Sequence, residues 1–100
     1  MSILQFKKLL NEIQSSLKSE DHFEVKTLEY EFEFAKEHLC INGRKYETGR
    51  LADVYLSKDG FTLVLLYERI SMIITWRGYI IYDNISVAFE YGNFNWGFSD

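Results

Sequence analysis

Proline is missing from all 100 residues, cysteine occurs once, at Cys40, and no lysine or arginine follows Arg77. Without proline the chain has no Pro-rich linker and no X-Pro isomerisation step in folding. A lone cysteine excludes an internal disulfide framework and fits a reducing compartment. The sequence also lacks a Gly-rich phosphate loop, a G-x-S-x-G elbow and an H-E-x-x-H pair, so none of these motifs supplies a catalytic centre. Its strongest apolar block, 61–82, is broken by Glu68, Arg69 and Arg77, and charges so placed argue against a membrane span. Near the start, Lys7, Lys8, Asn11 and Glu12 interrupt any apolar run that could act as a signal peptide. The expectation is a soluble, cytoplasmic protein with no membrane partner.

What is present is apolar, aromatic and acidic. Hydrophobic residues make up 47% of the chain, which excludes disorder and supplies a core for a single domain spanning residues 1–100. The net charge is −4 and it is unevenly spread. Residues 20–37 carry seven acids against Lys26 and Lys36, a local charge of −5. Phosphate binding needs clustered lysine and arginine, so the pattern disfavours nucleic acid as a direct partner and favours a basic protein.

The most regular stretch lies inside that acidic region. In Leu28-Glu29-Tyr30-Glu31-Phe32-Glu33-Phe34, large apolar and acidic residues alternate without a slip. Period two is the signature of a half-buried strand, predicted here over about 28–35. Leu28, Tyr30, Phe32 and Phe34 are expected in the core, a burial contributing on the order of 6–12 kcal/mol. Glu29, Glu31 and Glu33 are expected in a row facing water. Same-face carboxylates repel, so the row marks either a plain solvated face or the site of a positively charged partner.

Elsewhere the periodicity is mixed. Ile3, Phe6, Leu10, Ile13 and Leu17, widened by Leu4 and Leu9, predict a helix from Ser2 to about Ser19. Ser2 and Gln5 fit a capping box. Phe23 and Val25 then fall on odd positions and the next apolar set on even ones, so a bulge or turn is expected near Lys26-Thr27. Asn42-Gly43 predicts a hairpin joining 38–41 to 44–47. Leu51–Leu56 reads as a strand, and Ser57-Lys58-Asp59-Gly60 as a turn into Phe61–Tyr67. Residues 61–76 fit either a helix or two strands; their Val, Ile and Thr content, broken at Glu68-Arg69, favours two strands. Further turns are expected at Arg77-Gly78 and Asp83-Asn84, then a strand Ile85–Tyr91 and a closing aromatic segment. The fold class is α+β: an N-terminal helix packed on a curved antiparallel sheet or incomplete barrel of about seven to nine short strands.

Two groups of residues invite a chemical reading. His38 and Cys40 could share a strand face as a nucleophile pair or half a metal site; the preferred reading is a small core cysteine beside an exposed strand histidine. No catalytic, cofactor or metal residue is assigned, and an enzyme is not expected. Tyr91, Phe94, Trp96 and Phe98 lack the lysine and arginine of a base-stacking groove. Beside acidic residues they have the composition of a protein interface, so Tyr91, Phe94 and Trp96 join Glu29, Glu31 and Glu33 as candidate partner-binding residues.

A small, acidic, aromatic-rich chain without a catalytic motif resembles the immunity proteins of bacterial toxin systems, of the colicin or contact-dependent inhibition type. The resemblance is one of general type across the whole chain, and no motif carries it. It implies a non-enzymatic inhibitor that binds a cognate toxin, with a basic nuclease domain as the expected partner. A nuclease holds phosphates in a positive field, which a row of carboxylates can occupy. The alternatives are a phage-encoded inhibitor of a defence enzyme, or a small structural or regulatory subunit pairing through a strand edge.

Overall fold

The computed structural model describes residues 1–83, and its chain enters a helix at once. The Ser2 hydroxyl accepts from the Gln5 N–H at 3.1 Å while Gln5 Oε1 accepts from the Ser2 N–H at 2.8 Å. This reciprocal capping box starts α1, Ile3–Ser19. Phe6, Leu10 and Ile13 are buried, with Leu9 and Leu17 partly so. Ile3 and Leu4, expected in the same stripe, are exposed. The covered face of the helix begins one turn later, where it lies on strands of the second sheet.

Among the described residues eight antiparallel strands follow, in two four-stranded meanders rather than one curved sheet, and neither closes into a barrel. The first sheet contains β1 (Phe23–Lys26), β2 (Glu31–Phe34), β3 (His38–Ile41) and β4 (Arg44–Glu47). The second contains β5 (Leu51–Leu56), β6 (Thr62–Tyr67), β7 (Ile70–Thr75) and β8 (Gly78–Asp83). Short turns force neighbouring strands to run antiparallel. Asn42 and Gly43 take positive φ of 49° and 83°, as a two-residue type I′ hairpin requires. Residues 61–76 form two strands, broken at Glu68-Arg69 as their composition predicts. Asn84, the predicted strand 85–91 and the aromatic segment beyond it lie outside the described residues.

Period two sorts each strand into two faces. Phe23, Val25, Phe32, Phe34, Leu39, Ile41 and Tyr46 point from the first sheet into a common core. From the second sheet come Leu63, Leu65, Tyr67, Met72, Ile74, Tyr79 and Ile81. In β5 the core residues are Leu51, then Val54 and Leu56. That odd spacing is explained by a register shift between Leu51 and Asp53, which inserts one residue and rephases the strand. Tyr79 of β8 reaches across to the first sheet and meets Tyr30 and Phe32 edge-on at 5.3 and 5.9 Å. Such pairs add about 0.5–1.5 kcal/mol each beyond the area they bury.

The link between the sheets, 48–50, is tied to both. Thr48 N–H donates to Glu37 O, and Arg69 N–H donates to Thr48 O at 3.0 Å. Arg50 N–H donates to Glu68 Oε1 at 2.6 Å. Gly49, between them, has φ +69°, and a Cβ added there meets Glu68 Cβ at 2.9 Å. Both the backbone conformation and the close approach require glycine.

Candidate functional site

The outer face of the first sheet gathers most of the polar chemistry that the sequence singled out. Strand β2 sits between β1 and β3. Cross-strand register places Glu33 opposite Glu24 on one side and Cys40 on the other. Glu31 lies opposite Lys26, Cys40 opposite Lys45, and His38 opposite Glu47. Period-two alternation puts all of these on the face away from the core.

The acidic row is shorter than the alternation suggests. Strand β2 begins at Glu31, so Leu28 and Glu29 belong to the turn after β1. Thr27 N–H donates to Tyr30 O at 2.8 Å, and the Thr27 hydroxyl accepts from the N–H groups of Glu29 and Tyr30. A hydroxyl that captures nearby backbone donors offers the chain a turn in place of a ladder. Leu28, expected in the core, is therefore 91% exposed. Tyr30 is half-buried, whereas Phe32 and Phe34 are buried as expected.

Asn42 of the hairpin holds this turn in place. Its side-chain oxygen accepts from Glu31 N–H at 2.7 Å and its side-chain N–H donates to Glu29 O at 3.4 Å. Asn42 N–H also donates to Glu31 O at 2.9 Å. One residue thus shapes the β3–β4 turn and fixes the backbone that carries two of the candidate carboxylates.

The three carboxylates have different surroundings. Glu29 is exposed at the turn. Glu31 is exposed and faces Lys26 Nζ at 3.1 Å, a solvent-exposed pair that adds little stability. Glu33 is half-buried, with His38 Nε2 and His22 Nε2 each 3.5 Å from a different carboxylate oxygen. Hydrogen bonding from His38, and then from His22, holds its carboxyl below the ordinary range. Burial, reinforced by the charge of Glu33, pushes the Cys40 thiol up. Cys40 is not a core residue: it is half-buried on the outer face, as is His38.

Two grooves flank this end of the sheet. A shallow one of about 440 Å³ is lined by Glu24, Lys26, Glu31, Glu33 and Gly43, among others. An apolar one of about 320 Å³ lies on the helix side, against Phe6, Ile13, Leu28, Tyr30 and Trp76, with Glu29 and Arg77 at its margin. Trp76 is half-exposed and packs edge-on against Phe6 at 5.2 Å. Pattern reading misplaces Leu28 in the core because the alternation runs on through the turn after β1, and it passes over Trp76, which sits in the turn between β7 and β8 where apolar periodicity carries no information. Tyr91, Phe94, Trp96 and Phe98 lie outside the described residues. Comparison with family models, curated proteins and solved structures finds no match for this chain, so the site is read from its own residues.

Proposed function

We propose that this chain is a non-enzymatic binding protein of the immunity type, which neutralises a basic nuclease toxin domain by occupying its phosphate-binding surface. The observation that carries the reading is the junction at the start of β2. There, exposed Glu29 and exposed Leu28 line an apolar groove, and exposed Glu31 follows on the outer face of the sheet, where it lines the second groove. Carboxylates steer a basic partner into contact and a neighbouring apolar anchor holds it, since desolvated apolar contacts supply most of the affinity. The Lys26–Glu31 pair is no obstacle, because an exposed pair exchanges readily for a partner's lysine or arginine. Glu33 contributes to the same negative field from between its two histidines.

The test is association of the purified chain with a panel of basic nuclease toxin domains, followed across ionic strength. Binding to one domain is expected, with an on-rate falling steeply as salt approaches about 0.5 M. Binding that ignores salt would remove the acidic surface from the mechanism. Self-association in place of any heterologous binding would favour the structural-subunit alternative.

A further inference from the structure

On the outer face of the first sheet, Glu33 is met from β3 by two side chains that ligate metals. Cys40 faces it directly across the β2–β3 pairing. His38 lies two residues before Cys40 on the same strand, hence on the same face. The donor atoms of Glu33, His38 and Cys40 all lie within 4.8 Å of one another. Each residue is half-buried, so the donors are neither freely solvated nor inaccessible.

The spacing suits a tetrahedral ion. With metal–nitrogen and metal–oxygen bonds of about 2.0–2.2 Å and metal–sulfur bonds of about 2.3 Å, neighbouring ligands stand about 3.3–3.6 Å apart. Glu33 Oε1 and His38 Nε2 are already 3.5 Å apart. A tight charge-assisted hydrogen bond between them would measure about 2.7–2.9 Å. The remaining separations close by rotamer adjustment of side chains on an outer face, without moving the strands that fix their Cβ atoms.

Ligand type narrows the metal. One thiolate, one imidazole and one carboxylate form a borderline-soft set that suits Zn²⁺, whereas Mg²⁺ and Ca²⁺ take oxygen ligands. The two anionic ligands also balance the charge of a divalent ion. Three protein ligands leave a fourth position for water or a partner's side chain. The other oxygen of Glu33 lies 3.5 Å from His22 Nε2, a contact that orients the carboxylate from outside the ligand set. We propose that Glu33, His38 and Cys40 form a zinc-binding site on the first sheet. This goes beyond the partner-binding reading and does not depend on it.

The test uses the full chain, reduced and metal-free, titrated with Co²⁺ and then competed with Zn²⁺. A thiolate-to-cobalt charge-transfer band is expected to saturate at one equivalent and to vanish when Zn²⁺ displaces the probe. Cys40→Ser and His38→Gln should each weaken binding by about 100-fold or more, at least what loss of a supporting contact costs at metal sites. His22→Gln should keep the band and weaken binding by only about tenfold. Circular dichroism checks that each variant is folded, and Glu33→Gln replaces any that is not. The proposal is overturned if excess Co²⁺ gives no band, if the band survives in Cys40→Ser, or if His38→Gln binds as tightly as the parent. Loss of the band in His22→Gln overturns the assigned ligand set.

Discussion

Asn42 does two separable things, and two substitutions take them apart. Its backbone occupies the left-handed region at φ 49°, and its side chain accepts from Glu31 N–H at 2.7 Å and donates to Glu29 O at 3.4 Å. Asn42→Gly keeps the turn and deletes the side-chain contacts. One good hydrogen bond is worth about 0.5–1.5 kcal/mol net, and the longer contact adds little. Asn42→Ala deletes the contacts and also places a Cβ in the left-handed region, at a further cost of about 1–2 kcal/mol. The alanine variant should therefore be about 1.5–3.5 kcal/mol less stable than the parent, with the glycine variant between them. For a urea m-value of about 1–2 kcal/mol/M, equilibrium unfolding should show the alanine midpoint lowered by roughly 0.8–3.5 M. Hydrogen exchange supplies the local readout: the Glu31 amide should lose protection in both variants. If alanine and glycine destabilise equally, the turn strain is misassigned. If the Glu31 amide stays protected, Asn42 does not hold the turn.

Other consequences follow from burial and backbone geometry. Gly49→Ala should cost about 1–3 kcal/mol, because the left-handed backbone and the 2.9 Å approach to Glu68 Cβ act together; Gly43→Ala, with open space around it, should cost less in the same unfolding experiment. Leu28→Ser should change stability by less than about 0.5 kcal/mol, whereas Phe34→Ala, which empties a core position, should cost about 3–5 kcal/mol; a large effect at Leu28 would contradict its place in the turn. Tyr67 has its hydroxyl pKa raised by burial, so the folded state retains a proton that the unfolded chain loses above pH about 10. Its contribution is complete below that pH and is lost as pH rises further, by at most about 1.4 kcal/mol per pH unit. Tyr67→Phe should flatten the alkaline decline in stability, and an unchanged slope would show that Tyr67 is not the group responsible.

Local signals located most of the elements. The Ser2–Gln5 box, the Asn42-Gly43 turn and the break at Glu68-Arg69 each depend on residues a few positions apart, and each stands where the pattern places it. Splitting of the strands into two sheets was not legible. It depends on Thr48–Arg50 bonding to turns at Glu37 and at Glu68-Arg69, contacts that span many residues and leave no periodic trace. The alternation from Leu28 misled for a related reason. Its period continues through a turn that the Thr27 hydroxyl and Asn42 impose on the backbone. At the candidate site, alternation sends Glu31 and Glu33 to one water-facing side, while composition favours a core Cys40 beside an exposed His38. Only strand register shows that Cys40 and His38 share the outer face with the carboxylates and that Glu33 stands opposite Cys40.

The central claim, that the exposed acids beside Leu28 recognise a basic toxin domain, is tested most directly by protection in cells. The chain is co-expressed with each nuclease toxin domain of a panel, alongside a Glu29→Lys, Glu31→Lys double variant that leaves Glu33 and its histidines intact. The account predicts that the parent restores growth against one domain and that the folded variant loses protection, with its association rate lowered about tenfold or more. Equal protection by parent and variant would contradict the acidic mechanism, and failure of the parent against every basic nuclease domain would contradict the immunity reading itself.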